Sequence, residues 1–146
     1  MKKGQIRAIA ICVFRKDESF LVCEGFDEVK QEYYYRPIGG GIEYGETSLN
    51  ALKREVLEEI GASITNINFL GAVENIFTYN GDLGHEIVFV YDAEFVEKSF
   101  YEKSSFVGYE DNGAPFTLYW KPISDFTKNQ LRLVPEGLLT LLKNAQ

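Results

Sequence analysis

The segment Gly39–Ala62, which reads GGGIEYGETSLNALKREVLEEIGA, constrains the possible folds of this chain more than any other stretch. Its three consecutive glycines allow the backbone to take unusual dihedral angles and to approach a ligand closely. Thr47 or Ser48 is a suitable N-cap, Leu49–Ile60 has helical periodicity, and Gly61 stands where many helices end. The segment therefore predicts a glycine-rich loop that leads into an amphipathic helix.

One face of this helix carries three carboxylates. At about 100° per residue, Glu55, Glu58 and Glu59 fall within an arc of roughly 100°, beside an apolar stripe. The three charges repel one another and lie toward the helix C-terminus, where the macrodipole disfavours negative charge. A divalent cation would remove both costs, and an oxygen donor set suits Mg²⁺ or Mn²⁺. The alternative is a solvated acidic face with surface partners at Lys53 and Arg54.

The spacing of the fixed residues resembles the Nudix box of the Nudix hydrolase family, whose members include MutT-like proteins. The matching positions are Gly40, Glu46, Arg54, Glu55, Glu58, Glu59 and Gly61, with Val56 at an aliphatic position and Ala62 at the final one. The resemblance implies an α+β fold, a Nudix-type α/β/α sandwich with a mixed β-sheet, with residues 1–146 forming a single domain. It also implies Mg²⁺-dependent hydrolysis of the pyrophosphate bond in a nucleoside diphosphate linked to another moiety, with Mn²⁺ as an alternative ion. The substrate is then a phosphorylated small molecule, and a homodimer is common in the family.

Roles for individual residues follow from the same resemblance. It makes Glu55, Glu58, Glu59 and the carbonyl of Gly39 metal ligands, and Arg54 the orienting partner of the glutamates, supported by Glu46. The general base stays open between a box glutamate, Glu55 or Glu58, and a glutamate in a later loop, for which Glu110 ranks ahead of its neighbour Asp111.

Substrate-binding residues are expected just before the glycines. Arg36 can hold a phosphate, and Tyr35 or another member of the run Tyr33–Tyr35 can stack on a base. At least two of these tyrosines are expected to pack within a strand instead. Phe77, Tyr79 and His85 flank a turn and are weaker candidates.

Two alternatives from other functional classes remain. A nucleotide-sensing domain of the same fold would bind without cleaving, although it would not need the intact acidic set. A diphosphate isomerase on the same fold would use a cysteine and a glutamate, yet Cys12 and Cys23 lie in stretches expected to be buried strands.

The remaining chain predicts strands on both sides of the central helix, which favours an α+β sandwich over a doubly wound sheet. The predicted elements are a strand at Ile6–Phe14 in a hairpin with Phe20–Cys23, one or two strands in Ile64–Tyr79, a returning strand at Glu86–Phe95, a long loop at Glu97–Ala114, a strand at Thr117–Ile123, a short helix capped by Ser124, and a closing helix with Pro135 in its first turn and its end at Lys143.

Composition excludes several classes of protein. Among 146 residues, 22 acidic and 15 basic side chains give a net charge of −7, which argues against binding to duplex nucleic acid. Two cysteines and one histidine provide neither a disulfide scaffold nor a zinc site. We find no signal peptide and no apolar stretch of the roughly 20 residues that span a bilayer, so we expect a cytoplasmic protein without membrane contact.

Overall fold

The computed structural model describes residues 4–128 and 130–144, which form nine strands, three α-helices and one 3₁₀-helix. The strands are β1 (Ile6–Val13), β2 (Arg15–Lys16), β3 (Ser19–Asp27), β4 (Glu32–Arg36), β5 (Ile38–Gly41), β6 (Ile64–Tyr79), β7 (Asp82–Phe95), β8 (Ser105–Tyr109) and β9 (Pro115–Pro122). The helices are α1 (Ser48–Ile60), α2 (Ile123–Thr127) and α3 (Leu138–Asn144), and the 3₁₀-helix is Lys98–Tyr101.

The strands form two sheets. The first has the order β5-β1-β7-β6 and is mixed, because β1 and β7 run parallel whereas β5 and β6 pair antiparallel with their neighbours. The second has the order β2-β3-β9-β8 and is antiparallel, with β4 also paired to β3. The predicted mixed sheet is therefore confirmed, although the strands divide between two sheets.

Helices cover both faces of the strands. On one face, Leu52 and Val56 of α1 pack in a buried cluster with residues such as Ala10 of β1. On the other face, Phe126 of α2 and Leu138 of α3 belong to a second buried cluster. These two cores give the predicted α/β/α layering.

Local signals fix the ends of α1. The hydroxyl oxygen of Thr47 accepts a hydrogen bond from the backbone N–H of Asn50 at 3.1 Å, so Thr47 is the N-cap. Gly61 has a φ of 67° and its N–H donates to the carbonyl of Leu57, which ends the helix as predicted. Ile64–Tyr79 is one continuous strand, and the turn at Asn80 and Gly81 joins it to β7.

Three predictions about the second half of the chain are wrong. The stretch Glu97–Ala114 is not one long loop, because it contains the 3₁₀-helix and β8, whose Phe106 packs against the first core. Ser124 lies inside α2, whose N-cap is Pro122. Pro135 precedes α3 instead of lying in its first turn.

Both cysteines are buried, at 0% exposure for Cys12 and 2% for Cys23. Within the described parts of the chain, no helix has the length and apolar character needed to cross a membrane.

Candidate active site

A cleft of about 330 Å³ is lined by residues from both sheets, such as Arg7 of β1 and Tyr34 of β4. Gly39 and Gly40 of β5 and Glu55 and Glu59 of α1 line one part of it. The turn between β8 and β9 adds Glu110 and Asp111, and the segment before α3 adds Arg132. The glycine-rich strand, the acidic helix face and the later loop thus meet at a single cleft.

Three carboxylates form a cluster, and two of them, Glu55 and Asp111, line this cleft. Glu55, Glu58 and Asp111 each offer an oxygen atom, and these three atoms lie within 4.8 Å of one another. Helix α1 supplies the two glutamates, and the turn after β8 supplies Asp111. That turn is fixed by backbone hydrogen bonds of 2.8 Å from Glu110 to Ala114 and from Gly113 to Glu110.

Glu59 lies beside this cluster but is not one of its three members. Its side chain is buried, the residue being 5% exposed, and its Oε1 atom has no hydrogen-bond partner among the described residues. Burial, followed by the charge of Glu55, raises the pKa of Glu59 to about 8, against the opposing effect of Arg36. A carboxylate in such surroundings is expensive to ionise unless a cation neutralises it.

Arg54 connects the acidic residues. Its Nε and Nη2 atoms donate to the two carboxylate oxygens of Glu46 at 2.7 and 2.8 Å. Its Nη1 atom donates to Glu55 at 2.9 Å and to Glu58 at 3.4 Å, and Nη2 also donates to the carbonyl of Gly41 at 2.9 Å. One planar guanidinium therefore fixes two of the clustered carboxylates relative to the glycine-rich strand.

Gly40 leaves the space that the carboxylate of Glu55 occupies. A Cβ atom at this position would lie 2.5 Å from the carboxyl carbon of Glu55. Gly39, which also lines the cleft, has a φ of 154° and packs directly on the backbone of β1 at Ala10. Because they lack side chains, Gly40 brings β5 against the carboxylate of Glu55 and Gly39 brings it against the backbone of β1.

The residues expected to bind substrate separate into two groups. Arg36 lines the cleft, and its Nη2 atom donates to Glu110 at 3.5 Å. Tyr35 does not line this cleft: it is 5% exposed, its hydroxyl donates to Glu24 at 2.7 Å, and it packs in the second core. Its neighbour Tyr34 points into the cleft instead, since side chains alternate along a strand.

The donor set fits a divalent cation. Clustered carboxylate oxygens, together with the unpartnered buried oxygen of Glu59, provide hard negative ligands, with the positive charges of Arg54 and Arg36 beside them. Mg²⁺ and Mn²⁺ take such oxygen ligands and complete their coordination with water and substrate phosphates.

Several cleft residues were not singled out from the sequence. They include Asp27, Arg7, Asn75, Glu86 and Arg132. A sequence signal that could have identified Asn75 is its position as a polar residue within a predicted strand, now β6. Among the described cleft-lining residues there is no cysteine, which removes the support for the isomerase alternative.

Comparisons with known proteins agree with this geometry. The chain matches the family model described as NUDIX domain over residues 4–122, and enzymes of this family act on phosphorylated small molecules and generally use divalent metal ions. A search among curated protein sequences finds no significant match.

Solved structures show the same fold at low sequence identity. A MutT NUDIX hydrolase from Burkholderia pseudomallei is 17% identical with a TM-score of 0.58, and the match covers 98% of this chain and 100% of that one. A NUDIX hydrolase from Nitrosomonas europaea is 17% identical with a TM-score of 0.57, covering 96% and 88% of the two chains. A MutT protein from Bacillus halodurans is 19% identical with a TM-score of 0.57, covering 94% and 80%. Because the family model spans residues 4–122, most of the sequence, the chain belongs to the NUDIX domain family and is a pyrophosphohydrolase of the Nudix type.

Proposed function

We propose that this enzyme uses Mg²⁺ to hydrolyse the pyrophosphate bond of a nucleoside diphosphate linked to another moiety, such as a nucleotide, a nucleotide sugar or an ADP-ribose type of group. The cluster of Glu55, Glu58 and Asp111, two of which line the cleft, carries this proposal. Arg36 and Arg7 line the same cleft and supply positive charge for a diphosphate. Anionic substrate and anionic protein are compatible when divalent ions lie between them.

The metal ligands in this proposal are Glu55, Glu58, Glu59 and the backbone carbonyl of Gly39, with Asp111 added because it belongs to the cluster. When bound, the ion neutralises the diphosphate and stabilises the charge that develops on its oxygens. Glu58 and Asp111 are exposed, so their carboxylates are accessible to solvent, whereas Glu55 is buried.

Arg54 is a positioning residue in this proposal. It holds Glu55 and Glu58 through hydrogen bonds and is itself held by both oxygens of Glu46. Such a bidentate arrangement restricts rotation of the guanidinium and therefore of the carboxylates that it contacts.

Glu110 is proposed as the general base. It lies beside the acidic cluster, in the turn that carries Asp111, and its carboxylate contacts Arg36 at 3.5 Å. Its side chain is 43% exposed, so water reaches it. In this role Glu110 accepts the proton of the attacking water while Arg36 holds a substrate phosphate.

We also propose that residues 1–146 act as one domain. The segment after the family match returns to β4, where the N–H of Tyr35 donates to Arg132 and the N–H of Val134 donates to Tyr35, both at 2.9 Å. This segment places Arg132 in the cleft. The C-terminal part of the chain therefore contributes to the same site.

The experiment is release of phosphate and nucleotide from nucleoside triphosphates, ADP-ribose, nucleotide sugars and dinucleotides, with Mg²⁺ and with a chelator. We expect metal-dependent cleavage of at least one class of substrate, and loss of turnover by orders of magnitude in Glu58→Gln. Glu74→Gln, an exposed residue of β6 outside the cleft lining, is the matched control and should retain full activity. Tight nucleotide binding with no cleavage of any compound would contradict the proposal and support the sensing domain instead.

A further inference from the structure

Three polar side chains on adjacent strands form a row in the lining of the cleft, and none of them belongs to the acidic cluster. Arg7 in β1, Glu86 in β7 and Asn75 in β6 are paired in register across adjacent strands, and all three line the cleft. Directly opposed residues in a sheet point to the same face. The next row on this face, Ile9, Val88 and Val73, belongs to the second core.

The polar row is held in place by internal contacts. Asn75 is 6% exposed and lies directly opposite Glu86 in the pairing of β6 with β7. Burial raises the pKa of Glu86, and the amide of Asn75 and the charges of Arg7 and Arg36 act against that increase. A carboxylate has about four lone-pair sites, so Glu86 keeps acceptor capacity for a ligand that lies beside Asn75.

Aromatic side chains lie next to this row in the same cleft. Phe77 is two residues from Asn75 on β6, and Tyr79 follows two residues later, so all three share one face of the strand. The rings of Tyr34 and Tyr79 are 5.8 Å apart in an edge-to-face arrangement. Flat apolar surfaces beside a fixed acceptor and an amide suit a heteroaromatic ring that carries N–H donors.

We propose that Glu86 and Asn75 determine base specificity and select a base with an exocyclic amino group. This inference rests on the proposed function and names the class of nucleoside that the same cleft takes. The carboxylate of Glu86 accepts from the amino N–H, and the amide of Asn75 pairs with the adjacent ring position. A base with a carbonyl in place of the amine would set two acceptors against each other and leave a desolvated carboxylate unpaired.

Nucleosides without phosphate test this inference independently of metal and of hydrolysis. The isotope-labelled wild-type protein is titrated in chelator with adenosine, cytidine, guanosine, uridine and inosine, and NMR follows the side-chain amide of Asn75. We expect the nucleoside that binds most tightly to carry an amino group. Its counterpart without that group, inosine for a purine or uridine for cytidine, should bind at least tenfold more weakly.

A pair of variants separates recognition from general damage. Glu86→Gln preserves shape but exchanges one acceptor oxygen for a donor, and the preference for the amino base should fall below threefold. His85→Gln is the matched control, because His85 is the adjacent residue of β7 and pairs with Ile6 and Ile76 in a row that does not line the cleft. This variant should keep the wild-type preference.

Three results would overturn the inference: equal binding of amino and deaminated nucleosides, no binding of any nucleoside, or an unchanged preference in Glu86→Gln. The hydrolysis assay distinguishes failure of this inference from failure of the proposed function. Metal-dependent cleavage without base preference defeats only the inference. A base preference without cleavage of any diphosphate defeats only the proposed function.

Discussion

Arg54 donates to both carboxylate oxygens of Glu46, at 2.7 Å from Nε and 2.8 Å from Nη2. This pair connects the loop before α1 to the acidic face of the helix, since the same guanidinium also contacts Glu55. The hydrogen bonds from Arg54, followed by the bond from the backbone N–H of Glu43, lower the pKa of Glu46 to about 2, so the pair stays ionised throughout the neutral range. The pair of Glu46 and Arg54 therefore positions the carboxylate of Glu55.

Arg54→Lys should reduce turnover at least tenfold and weaken divalent-metal binding severalfold. Lysine keeps the positive charge, but it cannot donate to both carboxylate oxygens of Glu46 while also donating to Glu55. Steady-state kinetics and calorimetric metal titration measure the two effects. Arg15→Lys, on β2 outside the cleft lining, is the control and should leave both unchanged. Full activity in Arg54→Lys would show that the bidentate contact between Arg54 and Glu46 is not required for turnover.

Gly40→Ala should weaken metal binding about tenfold or more while the protein stays folded. The added methyl group would lie 2.5 Å from the carboxyl carbon of Glu55 and must displace that carboxylate. Gly45→Ala is the control, because nothing lies within 4 Å of its Cβ position although its φ of 86° makes alanine strained. It should lower the melting temperature without changing the metal dissociation constant. Equal metal affinity in both variants would contradict the role given to Gly40.

The metal-free protein should lose stability as the pH rises from about 4.5 towards 8. Glu59 has a pKa of about 8 in the folded protein against an ordinary value of 4.5, so in this window the unfolded chain releases a proton that the folded protein retains. Glu59 therefore does not lower the free energy of unfolding below pH 4.5, and it lowers that free energy increasingly as the pH rises above 4.5. Melting temperatures in chelator between pH 5 and pH 8 measure the decline.

Two comparisons isolate the contribution of Glu59. Glu59→Gln cannot ionise, so its melting temperature should vary less with pH than that of the wild type. Added Mg²⁺ should remove the decline in the wild type, because a cation favours the charged carboxylate. Identical pH dependence in the wild type and Glu59→Gln would contradict this assignment.

The first core depends on a stack of aromatic rings. Phe14 and Phe95 are each 0% exposed, and their ring centroids are 3.9 Å apart. Phe95→Ala should lower the free energy of unfolding by about 3–5 kcal/mol, measured by denaturant titration. Phe69→Ala, at a position 55% exposed, should cost much less. Comparable losses in the two variants would mean that the stack is not a principal part of the core.

The central helix was predictable because its signals are local. Thr47, the periodic apolar residues and Gly61 specify the start, the buried face and the end of α1 within one short segment. The same periodicity places Glu55 and Glu58 together, as the structure does. In contrast, β8 was missed because a short strand with two exposed ends has little local signal, and its pairing with β9 stabilises it.

The cleft beyond the helix was less predictable, since its residues come from distant parts of the chain. Asp111 joins Glu55 only because the turn after β8 folds back onto α1. Arg7, Glu86 and Asn75 form a row only in the register of β1, β7 and β6, which no short pattern encodes. Which of Tyr34 and Tyr35 faces the cleft is set by the pairing of β4 with β3 in the second sheet.

The most direct measurement is the Mg²⁺ activation curve for pyrophosphate hydrolysis, recorded for the wild type and for Glu55→Gln on the substrate that responds best. We expect no hydrolysis in chelator, saturable activation of the wild type, and a curve displaced to at least tenfold higher Mg²⁺ in the variant. Hydrolysis by the wild type in chelator, or superimposable curves for the two proteins, would contradict the claim that the acidic cluster of α1 holds the ion on which catalysis depends.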